Sequence, residues 1–176
     1  MRLFIAIKLP KEVQEYIAEI QKKFVGKGEL TFVKESHLTL KFLGEVGPAV
    51  LKQIEQKLHI IKFQNFILTL SGTGFFPDEK NARVFWIGLQ FSEQINELQN
   101  QIDKSLALLF KMEQNFVPHI TIARIKFVKD KIGFHKAVES IKIKPIQIQV
   151  NSFCLVESKL GKEGPKYGVI CEFFAN

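Results

Sequence analysis

Cysteine is scarce in this 176-residue chain, which has only Cys154 and Cys171. Two thiols late in the sequence are too few for a disulfide framework, and their spacing does not match a CxxC metal site. We interpret both as small buried apolar residues.

Long apolar runs are also absent. No stretch approaches the roughly 18 uninterrupted apolar residues that a membrane-spanning helix needs. The apolar run within residues 1–8 is shorter than a signal-peptide core, and no small-residue cleavage site follows it.

No segment has the composition of a linker. We therefore expect residues 1–176 to form a single domain of one or two closely packed lobes, and we expect a cytoplasmic protein.

Acidic residues are fewer than basic ones, 18 against 25, which gives a formal net charge of +7. This balance favours anionic partners such as RNA, nucleotides or phosphorylated ligands, although many basic proteins bind none of these. Apolar residues make up 46% of the chain and include 17 Phe. That content is sufficient for a substantial core and argues against disorder.

Hydrophobic periodicity predicts a mixture of helices and strands. We expect strands over residues 2–8, 31–33, 36–43, 66–71, 83–89, 116–125, 145–156 and 166–174, helices over 11–24, 48–61, 92–111 and 129–140, and loops over 75–81 and 158–165. The strands outnumber those that parallel βαβ crossovers could use. The sequence therefore predicts an α+β fold with antiparallel sheets.

Each half of the chain repeats the order helix, strand with a His-x-Thr motif, helix and hairpin. The motifs are His37-Leu-Thr39 and His119-Ile-Thr121, 82 positions apart. Alternate residues of a strand share a face, so each motif presents an imidazole beside a hydroxyl, over apolar residues that anchor the other face. The pattern indicates a duplication that brings two imidazoles to one cleft.

Chance would produce about 0.1 His-x-Thr sequences in a chain with this composition, whereas two are present in equivalent contexts. The alternative is that each histidine is an ordinary, partly buried strand residue. Two imidazoles suit phosphodiester hydrolysis, because one can accept a proton from attacking water while the other donates one to the departing alkoxide. The threonine hydroxyls and a cation would stabilise the charge on the phosphate oxygens.

Arg124 is a candidate for this cation. It lies five residues after His119, where strict alternation would put it on the opposite face, so it must sit where the strand twists, bulges or ends. The alternative is a surface arginine. Phe42, five residues after His37, could stack on a base beside the phosphate. A chain with 17 Phe also offers the simpler interpretation of Phe42 as a core residue.

A zinc site is the main chemical alternative, because histidines are common zinc ligands. Catalytic zinc normally has three protein ligands, and no Asp, Glu or Cys falls at a matching position beside either motif. We therefore expect no metal. His59 and His135 lack a comparable context and are interpreted as surface or boundary residues.

The chain resembles the two-histidine (2H) phosphoesterase superfamily, and within it the RNA 2′,3′-cyclic phosphodiesterases, a group also described as 2′-5′ RNA ligase-like. The similar segments are residues 1–7, 37–45, 74–77, 83–88, 118–124, 157–160 and 164–167. The resemblance implies a bilobal, duplicated α+β fold in which two antiparallel sheets flank a central cleft and the helices lie outside. It also implies hydrolysis of RNA 2′,3′-cyclic phosphate ends to 2′-phosphate ends without a cofactor.

By this resemblance, His37 would be the proton donor and His119 the proton acceptor. Substrate-binding roles would fall to Thr39, Thr121, Arg124 and Phe42. The partners would be RNA with 2′,3′-cyclic phosphate ends or nucleotides, with no membrane and no obligate protein partner, and the protein would be a monomer. Reversible 2′-5′ ligation would be a side activity. Two alternatives stay open: a phosphodiesterase of small cyclic nucleotides or 2′-5′ oligonucleotides, and a non-catalytic module that binds RNA ends or nucleotides.

Overall fold

The computed structural model describes residues 1–161 and 164–176, which form four helices and nine strands. In chain order these are β1 (Arg2–Lys8), α1 (Lys11–Lys22), β2 (Gly28–Phe32), β3 (His37–Glu45), α2 (Pro48–His59), β4 (Phe66–Phe76), β5 (Val84–Leu89), α3 (Glu93–Leu106), β6 (His119–Val128), α4 (Lys131–Glu139), β7 (Gln147–Val150), β8 (Ser152–Gly161) and β9 (Gly164–Phe174).

All the strand pairings are antiparallel, and they follow the order β7-β4-β5-β6-β3-β1-β8-β9, with β2 also paired to β6. The central strands β3 and β6 are joined by one pair, Leu38 with Ile120. We call the strands on the β3 side the first lobe and those on the β6 side the second lobe. The predicted α+β class and antiparallel pairing are confirmed. The two expected sheets meet at the Leu38–Ile120 pair, so the strands form a single path.

The duplication extends well beyond the two motifs. β5, α3 and β6 each begin 82 positions after β1, α1 and β3, and β7 with β8 covers the segment 82 positions after β4. The repeats exchange their last strands, because β8 of the second repeat pairs with β1 of the first and β4 of the first pairs with β5 of the second. Each lobe is therefore built from both repeats.

The core lies between the helices and the sheet face that carries Leu38 and Ile120. Both side chains are fully buried, as are Ile17 of α1 and Ile102 of α3. α1 packs against β6 and α3 against β3, so each helix supports the histidine strand of the other repeat. Burial of this apolar face leaves the opposite face of the central strands open for a site.

Several boundaries differ from the sequence predictions. β4 does not end at Ser71 but continues to Phe76, because Gly72 has a positive φ of 61° and marks a bulge in the strand rather than its end. The predicted strand over 145–156 is two strands, β7 and β8. The predicted loop over 158–165 is wrong for residues 158–161 and 164–165, which belong to β8 and β9, and residues 162 and 163 lie outside the described part.

Helix α3 ends at Leu106, five residues before the predicted end. The backbone beyond it has other partners: the carbonyl of Lys111 accepts a hydrogen bond from the side chain of Lys41, and the N–H of Glu113 donates one to Asp103. The periodic apolar residues up to Leu109 therefore continue into a non-helical segment that leads to β6.

Candidate active site

The two His-x-Thr motifs lie side by side at the centre of the sheet. His37 and Thr39 flank Leu38 on β3, and His119 and Thr121 flank Ile120 on β6. Because Leu38 pairs with Ile120 in an antiparallel register, the histidine of each motif lies across from the threonine of the other. All four side chains are half-buried on the face opposite the core.

Each histidine strand has a bulge three residues after its histidine. On β3, Ala6 pairs with Thr39 but Ile5 pairs with Lys41, which leaves Leu40 as an extra residue. A bulge shifts the alternation by one, so Leu40 and Lys41 are both buried and Phe42 comes to the histidine face. Phe42 is 69% exposed, so its interpretation as a core residue is wrong.

The equivalent bulge on β6 changes the face of the strand on which Arg124 lies. Trp86 pairs with Thr121 but Phe85 pairs with Ala123, so Ile122 is the extra residue. Ile122 and Ala123 are both buried, and Arg124 is exposed on the histidine face. The break in alternation that this position requires is therefore present. Phe42 and Arg124 are equivalent residues of the two repeats, yet they provide an aromatic ring and a cation.

The two imidazoles are oriented in the same way. Nδ1 of His119 lies 2.7 Å from the carbonyl oxygen of Val117, and Nδ1 of His37 lies 3.3 Å from that of Glu35. A carbonyl only accepts, so Nδ1–H is the donor in each contact and Nε2 is left to exchange protons with a ligand. This arrangement suits acid–base chemistry at both Nε2 atoms.

Aromatic rings surround both histidines. Between ring centroids, His37 lies 4.7 Å from Phe4 and 4.9 Å from Tyr167. The centroid of His119 lies 4.8 Å from that of Phe76 and 6.0 Å from that of Trp86. These neighbours limit the rotation of the imidazoles and reduce their hydration. Phe4 and Trp86 are 82 positions apart, so this pair of neighbours is part of the duplication.

The environment lowers the pKa of both histidines. Burial is the main cause for His37, and the charges of Arg124 and His119 lower its pKa further, against a raising effect of the carbonyl of Glu35. Burial also lowers the pKa of His119, partly offset by the carbonyl of Val117. Neutral imidazoles are therefore favoured in the free protein.

Polar side chains from the helices fix the backbone next to the motifs. Gln21 of α1 donates hydrogen bonds to the carbonyls of Val33 and of the bulge residue Ile122, at 2.8 and 3.0 Å. At the equivalent position of α3, the carboxylate of Asp103 forms a buried ion pair with the ammonium of Lys41, the residue after the other bulge. Both bulges are therefore held from beneath by the helix of the other repeat.

The remaining predicted positions lie away from this site. His135 is exposed between Glu79 and Glu139, and exposed His59 contacts Phe173 and Cys171. Their interpretation as surface or boundary residues is confirmed. Cys154 is buried as expected, and burial raises the pKa of its thiol to about 11, whereas Cys171 is only half-buried.

Sequence reasoning missed the aromatic neighbours and the two helix side chains that hold the bulges. Trp86 could have been found, because it alternates with Gly88 and Val84 on a strand that is equivalent to β1. Gln21 and Asp103 gave no comparable signal, since polar residues on a helix are normally assigned to solvent.

Within residues 1–161 and 164–176, no three His, Cys, Asp or Glu side chains are grouped as metal ligands would be. No helix in the same part of the chain has the length and apolar character needed to cross a membrane.

Comparison with known proteins identifies the family of the chain. The family model of the 2′-5′ RNA ligase superfamily matches residues 9–162. The RNA 2′,3′-cyclic phosphodiesterases of Thermotoga maritima and Methanocaldococcus jannaschii are each 37% identical to the chain over 98% of its length, covering 96% and 100% of the respective relatives.

Solved structures agree as well. The protein TT0787 of Thermus thermophilus superposes with a TM-score of 0.82 at 29% identity, covering 99% of this chain and 97% of that one. Escherichia coli LigT in complex with 3′-AMP superposes with a TM-score of 0.76 at 28% identity, with the same two coverages. The chain belongs to the 2′-5′ RNA ligase superfamily.

Proposed function

We propose that this protein is an RNA 2′,3′-cyclic phosphodiesterase that opens the cyclic phosphate to a 2′-phosphate end by two-histidine acid–base catalysis. The observation that supports this most directly is the pair of imidazoles on one sheet face, each with Nδ1 bonded to a backbone carbonyl and Nε2 available. The names of the relatives support the same substrate class.

In the proposed reaction, Nε2 of His119 accepts a proton from water as the water oxygen attacks phosphorus. The bond from phosphorus to the 3′ oxygen breaks, and Nε2 of His37 donates its proton to that oxygen. The products are a 2′-phosphate monoester and a free 3′-hydroxyl. The proton balance is closed, because one histidine gains the proton that the other loses.

Thr39, Thr121 and Arg124 are proposed to hold the non-bridging phosphate oxygens. The hydroxyls of Thr39 and Thr121 lie on the histidine face, one from each lobe. Arg124 adds a positive charge that is close enough to contribute to the low pKa of His37, so it can also stabilise the charge of a phosphate. Phe42 is proposed to stack on the base, because its exposed ring lies 6.2 Å from Phe4 at the same side of the cleft.

We further propose that residues 1–176 act as one domain, as a monomer and in the cytoplasm. The exchanged strands support a single domain, because neither repeat contains all the strands of a lobe. All the proposed catalytic and binding side chains come from one chain, which is compatible with a monomer.

The test is incubation of the purified protein, in EDTA, with a short RNA that ends in a 2′,3′-cyclic phosphate, followed by separation of 2′- and 3′-phosphate products. We expect the 2′-phosphate from the wild type, and a loss of about 10²–10⁴ in turnover for His37→Ala and for His119→Ala. His59→Ala is the matched control, because it removes an exposed imidazole outside the cleft.

A 3′-phosphate product would contradict the proposed leaving group, and full turnover in both cleft variants would contradict the two-histidine mechanism. RNA binding without any product would favour the binding module. The variants should keep the wild-type melting temperature, so that lost turnover reports on chemistry.

A further inference from the structure

Beyond Arg124, β6 leads to a groove that no proposed step of the reaction uses. We propose that this groove binds the RNA chain that precedes the cyclic end, so that the preferred substrate is an oligonucleotide and not a mononucleotide. The inference rests on the proposed function, because it takes the cyclic phosphate to lie between His37 and His119.

A second bulge turns β6 toward the groove. Leu30 of β2 pairs with Ile125 and Glu29 pairs with Phe127, so Lys126 is an extra residue. Lys126 and Phe127 are consecutive exposed residues, and Phe127 is 51% exposed. A cation and an aromatic ring therefore lie two and three residues after Arg124. Two residues of extended strand span about 6.6 Å, which is within the reach of one nucleotide.

The groove is a cavity of about 480 Å³ between the end of β6, the segment that connects β4 to β5, and α4. Ile125, Phe127 and Phe134 give it an apolar floor. Its cations are Lys80, Arg83, Lys126 and Lys131. An apolar, partly aromatic floor surrounded by cations suits a nucleotide, because the base can pack on the floor while the cations meet the phosphates.

Acidic groups weaken this positive charge only in part. Among residues 1–161 and 164–176, Glu79 is the one carboxylate that lines the cavity, and it lies 3.5 Å from His135. Lys126 pairs with Glu29 at 2.8 Å, but both side chains are more than half exposed, so the pair is weak and can yield to a phosphate. The guanidinium of Arg83 donates a hydrogen bond to the carbonyl of Lys126, a neutral acceptor that does not cancel its charge.

The stereochemistry of the RNA end fits this position. In a ribose 2′,3′-cyclic phosphate the base leaves C1′ beside the 2′ oxygen, and the preceding chain leaves C4′ beside the 3′ oxygen. Base and chain therefore diverge to opposite sides of the reacting phosphorus. Phe42, near the end of β3, and the groove, beside the end of β6, also lie toward opposite ends of the central strands, because β3 and β6 run antiparallel. A base on Phe42 would direct the chain toward the groove.

The test compares kcat/KM for an RNA hexamer that ends in a 2′,3′-cyclic phosphate with kcat/KM for a 2′,3′-cyclic mononucleotide. We expect the wild type to prefer the hexamer by at least about tenfold at low salt, with a preference that falls as salt rises. The groove variant Lys80→Glu/Lys131→Glu should lose most of this preference. The ratio of the two substrates corrects for any change in the amount of folded enzyme.

The matched control is Lys52→Glu/Lys62→Glu, which makes the same change in net charge on exposed residues of α2 and the segment after it. It should keep the wild-type ratio. Phe127→Ala should also lower the ratio, because it removes the exposed aromatic ring of the floor. Equal kcat/KM for the two substrates in the wild type, or an equal ratio in groove and control variants, would overturn the groove but not the phosphodiesterase. Failure to hydrolyse either substrate would overturn both proposals.

Discussion

Arg124 of the second repeat interacts electrostatically with the imidazole of His37 of the first repeat, across the central strands. Burial is the first cause that lowers the pKa of His37, and the guanidinium adds to it. A bound phosphate would neutralise this guanidinium, and a negative charge beside an imidazole raises its pKa. Ligand binding is therefore coupled to proton uptake at the residue that we propose as the acid.

This coupling predicts that inorganic phosphate raises the pKa of His37, as followed by NMR titration of the imidazole Cε1–H signal. Arg124→Met should raise the pKa of His37 in the free protein, because the nearby positive charge is lost, and should reduce the effect of phosphate. Arg124→Lys is the control that keeps a charge. An unchanged titration of His37 in Arg124→Met would show that the guanidinium does not act on this imidazole.

The same pKa directions predict the pH dependence of catalysis. The active form of the free enzyme holds one protonated and one neutral histidine, and the environment lowers the pKa of both imidazoles below the ordinary value of 6.5. As pH rises through the higher of the two pKa values, the singly protonated form of the histidine pair is lost and kcat/KM falls. We expect the midpoint of this alkaline limb below pH 6.5.

The measurement is a pH–rate profile of kcat/KM on a substrate whose phosphodiester does not titrate in this range. An alkaline midpoint above pH 7 would contradict the environment described for the two imidazoles. Arg124→Met should shift the profile toward higher pH, because removal of the guanidinium raises the pKa of His37.

The sequence could predict those parts of the site in which side chains alternate regularly between the two faces of a strand. His37, Thr39 and their counterparts were found because residues i and i+2 of a strand share a face. The face of Arg124 was not predictable in this way, because the bulge at Ile122 is a backbone feature with no glycine or proline to mark it. Gly72 did mark a bulge, but the sequence equally allowed the end of a strand.

The exchange of strands between repeats could not be predicted from the sequence, for a different reason. Strand order depends on pairings between residues distant in the chain, such as Phe4 with Val156, and the hydrophobic pattern of a strand does not name its partner. The boundaries of α1 and β1 depend on local signals, and these were predicted to within two residues.

The buried ion pair of Lys41 and Asp103 gives a prediction about stability. Their side chains are only 4% and 2% exposed, and each also holds backbone of the segment that leads to His119. Lys41→Met would leave a buried carboxylate without its cation, so we expect a loss of about 3–5 kcal/mol in the free energy of unfolding. Chemical denaturation measures this loss.

Lys52→Met is the matched control for this prediction, because it removes an exposed ammonium, and it should cost less than about 0.5 kcal/mol. The double variant Lys41→Met/Asp103→Leu should recover part of the stability, since no buried charge is left. A single variant as stable as the control would mean that the carboxylate is not buried with this partner.

The packing of Gly74 against Trp86 predicts that a larger residue at position 74 impairs catalysis on the His119 side of the cleft. A Cβ at this position would clash with the indole of Trp86, which in turn packs beside His119. Gly74→Ala therefore requires Trp86 to move, and the shift removes a neighbour that limits the rotation of the imidazole. We expect a loss of about 1–3 kcal/mol in stability and a lower kcat.

Gly168→Ala is the matched control, because a Cβ there meets no atom within 4 Å. The change in kcat should persist under conditions where the variant is fully folded, and Trp86 fluorescence should report the displaced ring. Trp86→Phe in the Gly74→Ala background should recover kcat, because the smaller ring leaves room for the added methyl group. If Gly74→Ala and Gly168→Ala have the same kcat and fluorescence, the position of Trp86 does not control the orientation of His119.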